Sequence, residues 1–387
     1  MKPLALTLLC LLAALPALAQ STEEVAFVEA RDFFFFPGQL PVDSSGRTPS
    51  DFDAQARLVL SNLQTKADLA GVSLRHMVWV QVYLEDINQW PRFEDIAREL
   101  FAGQLPALAP LGIAAVGSKQ ATVAVDAVAY RTLAGIERTP GSAAVSAGGL
   151  TFLSAAQGRD LSTGRIPETH AEQTRIGLEN LGVELQGAGL GFEHMVFMHP
   201  YLLPAMAYGD MNKVYATFFE FGATPARATI FVDALPHDLT IEFTGVAVRD
   251  LSKRQPVRPK NMAPSPTASP CVWGGDFYFC SGKSGFIPGV EGGVWAESVE
   301  NQFRQTMRNL LDNLEETGLD FSDVVSTQLY LDDIADLERV DPIYQRYFPK
   351  IKPTRTVVQQ LPSGSRKQAA NGRWPAIEQM ALVAVRR

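Results

Sequence analysis

The chain has 387 residues, 46% of them hydrophobic and 20% charged, with a formal net charge of −8. That length is ample for buried cores and suggests two or three domains. The acidic balance, with no cluster of Lys and Arg, argues against nucleic acid as a main partner.

The first twenty residues, MKPLALTLLCLLAALPALAQ, stand apart. Lys2 supplies a positive start, residues 4–15 form an apolar run too short to span a bilayer, and Ala17-Leu18-Ala19 is a small-x-small cleavage site. The expectation is a signal peptide over residues 1–19, cut after Ala19, leaving a periplasmic or secreted protein with no membrane association. Cys10 sits mid-run, a poor lipoprotein signal. In an oxidising compartment Cys271 and Cys280 could pair; two small buried hydrophobes are at least as good a reading.

Further along, an apolar β-rich run (DFFFFPGQLP) precedes an amphipathic helix ending at a glycine, QARLVLSNLQTKADLAG. A strand follows (MVWVQVYLED), then a weaker helix (FEDIARELF) and a closing strand (VAVDAVAYR). The same order returns twice. Gln55, Asn62, Gly71, Val78 and Tyr83 recur as Gln173, Asn180, Gly189, Val196 and Tyr201, and again as Gln302, Asn309, Gly318, Val325 and Tyr330. The copies are offset by 118 and 129 residues, a repeat too regular for chance. Each reads as β-β-α-β-α-β-β, one sheet with two helices on one face. The boundaries fall at residues 20–134, 135–252 and 253–387, with SKRQPVRPKNMAPSPTASP (252–270) a Pro-rich basic linker.

The order of PGQ or SGK, Q-x6-N-x8-G, V-Y-L, N-x2-Y-x3-F, P-x-R-T, L-P and I-E before A-x-A-V resembles the RidA/YjgF family of enamine/imine deaminases. The resemblance implies an α+β, chorismate mutase-like fold in each module. It further implies a pseudo-trimer made by one polypeptide, monomeric in solution, with ligand sites in the clefts between modules. The family's carboxylate-binding arginine matches Arg227 and Arg355, and its acidic catalytic residue matches Glu242 and Glu378. Its small residues at the first strand end match Ser154-Ala155 and Ser281-Gly282. Its helix asparagine matches Asn212, with Asp341 in the third copy. Module one departs: Leu108 stands at the arginine position, Ala124 at the glutamate position and Pro37 before Gly38. The family's tyrosine near the start of the module is also missing.

A guanidinium would grip the carboxylate of a 2-imino acid through two parallel hydrogen bonds, and a nearby glutamate would move a proton for the attacking water. The resemblance therefore implies hydrolysis of 2-imino acids to 2-oxo acids and ammonia in two clefts, without metal or cofactor. The alternative is a binding protein for small carboxylates that has kept the fold without turnover. A ribonuclease, an activity attached to relatives of this family, is disfavoured by the acidic charge. His194 and His199 lie five residues apart on opposite faces of a strand, which argues against a metal site.

Overall fold

The computed structural model describes residues 25–116, 120–139, 143–260, 262–289, 292–361 and 366–386. The expected signal peptide lies outside them. Module one runs β1 (Val28–Ala30), β2 (Phe33–Gln39), α1 (Phe52–Leu69), β3 (Met77–Leu84), α2 (Trp90–Leu100), β4 (Ala107–Gly112) and β5 (Val123–Tyr130). Its sheet order is β1-β2-β5-β3-β4, antiparallel except for the parallel pair β3–β4. Module two adds a strand at its start. It runs β6 (Ile136–Arg138), β7 (Val145–Ala147), β8 (Leu150–Gln157), α3 (His170–Gly187), β9 (Met195–Leu202), α4 (Tyr208–Tyr215), β10 (Ala226–Arg227), β11 (Ile230–Phe231) and β12 (Ile241–Val248). Module three runs β13 (Arg254–Val257), β14 (Cys271–Gly274), β15 (Phe277–Lys283), α5 (Val299–Glu315), β16 (Val324–Leu331), α6 (Leu337–Tyr347), β17 (Thr354–Gln359) and β18 (Glu378–Val385). Both later sheets repeat the order of the first, β8-β12-β9-β10 and β15-β18-β16-β17.

The long helices form where the apolar spacing predicts them. Asp51, Thr169 and Ser298 cap their starts, and Gly71, Gly189 and Gly318 follow their ends with φ of +72°, +75° and +76°. Only a residue without Cβ takes that conformation cheaply. His76, His194 and Asp323 each accept a hydrogen bond from the backbone N–H three residues earlier, which closes the turn before each central strand. That capping role explains why they share one place in the repeat.

Helices cover one face of each sheet and give each module its own core. The opposite faces bury one another. Phe33, Phe35 and Trp79 of the first sheet, Phe152, Phe197 and Val246 of the second, and Phe277, Phe279 and Val325 of the third share one apolar cluster. Phe33 meets Phe277 edge-on at 5.4 Å and Trp79 lies 6.1 Å from Phe152. The repeated tyrosines Tyr83, Tyr201 and Tyr330 are fully buried together at one end of it.

Strand edges close three seams. The Leu108 N–H of β4 donates to the Ser154 hydroxyl of β8 (3.0 Å), and the Arg227 N–H of β10 donates to the Ser281 hydroxyl of β15 (2.8 Å). Thr356 of β17 packs on Gly38 of β2, where an added Cβ would lie 3.4 Å from its methyl group. The seams therefore join module one to two, two to three, and three back to one. Cys271 and Cys280 lie directly opposite in the β14–β15 pair, Cα atoms 4.0 Å apart, and form a disulfide.

Candidate functional site

Each seam brings the arginine position of one module against the first strand end of the next, Ser154-Ala155, Ser281-Gly282 or Pro37-Gly38. At the seam of modules two and three, Arg227 is 8% exposed. Its guanidinium donates to Asn212 Oδ1 (2.8 Å) and to the Tyr208 hydroxyl (3.0 Å), and lies 4.9 Å from the centre of the Tyr215 ring. All three partners are neutral, and no carboxylate pairs with Arg227 among the described residues. A buried guanidinium so placed keeps its charge for something else. It faces a cavity of about 270 Å³ shared with Ser281, Gly282, Lys283 and Gln379 of module three. Met262, Ala263 and Ser265 close one side, so the stretch read as a plain linker is a wall of this cavity. Tyr208, from the first turn of α4, supplies a phenol where no tyrosine was expected.

Arg355 takes the same register on β17 and stacks on Tyr344 at 4.6 Å, as Arg227 does on Tyr215. Its neighbour differs: Asp341 holds the position of Asn212 and forms an ion pair with it at 2.5 Å. That carboxylate neutralises the guanidinium from within the module, so this second cleft, expected to be open, carries an occupied cation. At the seam of modules one and two, Leu108 replaces the arginine and Ala97 replaces the tyrosine beneath it. A cavity of about 440 Å³ there is lined by Leu108, Ser154, Ala155, Gln157, Arg159 and His237 among others.

The glutamates depart from expectation. The repeated tyrosine fixes the comparison: Tyr83 pairs with Ala124, Tyr201 with Glu242 and Tyr330 with Gln379. Glu378 pairs instead with Leu331, the register that Ile241 holds against Leu202. The I-E letters match while the strands are one residue out of step, and side chains alternate faces along a strand. Glu378 therefore turns to the helix side, where its carboxylate accepts from the Gly285 N–H (3.0 Å) and the Thr306 hydroxyl (2.6 Å). Glu242 keeps the expected register but sits apart from Arg227. Arg227 pairs with Met198 and Glu242 with Tyr201, three residues on, about 10 Å along β9. Its strand partner on the other side is Gln157 of β8, at the seam with module one. Burial pushes both Glu242 and Glu378 up to about 8, so each is held as the neutral acid at neutral pH.

No seam thus joins a free arginine to a glutamate: Leu108 stands with Glu242, Arg227 with Gln379, and Arg355 with Ala124. Two participants were missed from the sequence. Gln379 was hidden by the register slip. Lys283 was in view, directly after the Ser281-Gly282 pair, in SGKSG. His199, fully buried, sits between the Ala228 carbonyl and Gln328 (both 3.0 Å) inside the shared core.

Comparison with known proteins follows the repeat. The endoribonuclease L-PSP family model matches residues 15–131, 137–249 and 260–364. Reactive Intermediate Deaminase A, chloroplastic, of Arabidopsis thaliana is 34% identical over 119 residues, 30% of this chain and 63% of that protein. The 2-iminobutanoate/2-iminopropanoate deaminase of Mus musculus is 34% identical over 111 residues, 28% of this chain and 82% of that protein. Among solved structures, E. coli TdcF with bound serine is 26% identical with a TM-score of 0.27, covering 28% of this chain and 87% of that one.

Proposed function

Because the chain belongs to the endoribonuclease L-PSP family, also called RidA/YjgF, and carries its module three times, we propose that it hydrolyses small 2-imino acids to 2-oxo acids and ammonia, at the seam of modules two and three. The observation that carries this is Arg227, buried, held by neutral partners and open to a cavity. A guanidinium has five N–H donors; two are engaged by Asn212 and Tyr208, which leaves others for a carboxylate. Bound so, the ligand presents its C=N carbon to the cavity. Water adds there, the carbinolamine collapses, and the nitrogen leaves with the protons as ammonium while the carbonyl forms. A protonated imine adds water readily, so positioning supplies most of what the site must contribute. We read the mature protein as starting at Gln20 and working outside the cytoplasm.

The test is ammonia release from imino acid generated by an amino-acid oxidase. Release above the uncatalysed rate is expected for the wild type, lost in Arg227→Gln and retained in Arg355→Gln. A second reading, a carboxylate-binding protein without turnover, is favoured by one observation: neither Glu242 nor Glu378 lines the Arg227 cavity. Saturable binding of propionate with no ammonia release would decide for it.

A further inference from the structure

The Arg227 cavity holds a second cation. Lys283 lines it from module three, opposite Arg227 from module two. It makes no hydrogen bond or ion pair among the described residues, and burial lowers its amine to about 8. No acidic side chain is among the cavity-lining residues described; the remaining polar groups are neutral hydroxyls and the Gln379 amide. Gln379 is itself tied down, donating to the Thr229 carbonyl (2.8 Å) and the Gln360 side chain (2.9 Å), so it offers no counter-charge.

Two cations line one space, Arg227 buried and Lys283 half-buried, with no anion between them among the described residues, a placement that favours a ligand able to neutralise both. A monocarboxylate on Arg227 would answer only one. The neighbouring modules show that the second cation is particular to this seam. The residues in register with Lys283 are Gln39 in module one and Ala156 in module two. Gln39 turns its amide onto the Pro37 carbonyl, a local contact that a lysine in its place would replace with charge.

We propose that this seam selects doubly anionic ligands, a C4 or C5 dicarboxylate or the matching 2-imino or 2-oxo diacid, with one carboxylate on Arg227 and the other on Lys283. The inference rests on the carboxylate reading of Arg227 given above. It narrows the substrate class to imines derived from acidic amino acids.

Calorimetric titration of the full chain at pH 7 with succinate and with propionate tests it. Wild type is expected to bind succinate about tenfold more tightly than propionate, the scale of one added charge-assisted hydrogen bond. In Lys283→Gln, which places the module-one residue at this position, the succinate-to-propionate preference should fall to near unity, with the larger loss on succinate. Thermal unfolding of the variant checks that it folds; Lys283→Met serves as a second variant without the amide. Equal binding of the two ligands by wild type overturns the dianion assignment while leaving the carboxylate site standing. A succinate preference that survives in both folded lysine variants overturns the role of Lys283. Binding of neither ligand by wild type removes the Arg227 reading and this inference with it.

Discussion

Arg227 and Arg355 share a register, a stacked tyrosine and a seam, and differ in one neighbour, Asn212 against Asp341. That one atom change decides whether the cation is available. Asn212→Asp should therefore weaken carboxylate binding by about 10- to 100-fold, the worth of a charge-assisted contact. Asp341→Asn should raise the titrated stoichiometry from one site toward two. Calorimetry reads both. Glu242 and Glu378 make a separate prediction. Their folded-state values, about 8, lie above the ordinary 4.5, so the folded protein holds protons that the unfolded chain has released. Their contribution is complete below about pH 4.5 and is lost as pH rises through 8; Asp126, raised to about 6, adds in the same direction. Tm should fall between pH 5 and 8, and the fall should be smaller in Glu378→Gln, measured by circular dichroism at matched ionic strength.

At the level of strands and helices, the repeat made most of the fold legible. Glycines after α1, α3 and α5, apolar spacing within them and the shared V-Y-L strands each carry a local physical signal, and each element formed where that signal lies. The site was less legible because it depends on register. Counted back from the shared Val-Ala-Val-Arg end, Glu242 stands seven residues before Arg249 and Glu378 eight before Arg386, so Gln379, not Glu378, faces the seam; matching the I-E letters instead hid that step. The wall formed by Met262, Ala263 and Ser265 was equally silent, since Pro-rich composition says that a segment is irregular and not what it rests against. The Cys271–Cys280 bond staples β14 to β15. Closing so short a loop is worth about 2.5 kcal/mol in the chain-entropy account. Reduction, or the double change to alanine, should lower the unfolding free energy by about that amount, read as a lower urea midpoint at an unchanged slope.

Across the whole molecule, the inner faces of three sheets form one cluster, and none has water as an alternative partner. Removing any module would expose Phe152 and Phe197, or their counterparts, as an apolar patch prone to association. Thermal unfolding should accordingly be a single transition, coincident by far-ultraviolet dichroism and tryptophan fluorescence, with Trp79 and Trp273 reporting from different modules. Separate transitions would show that the modules hold together only loosely. The closed circuit of seams has a further bearing on how such a protein can change over generations. In a ring assembled from identical subunits, every replacement is stamped on all three junctions at once, and exchanging an arginine for a leucine empties each of them. Here one junction surrendered its guanidinium, another neutralised it from within, and the third gained an amine, each without consequence for the others. Joining the copies end to end freed the junctions to specialise one at a time.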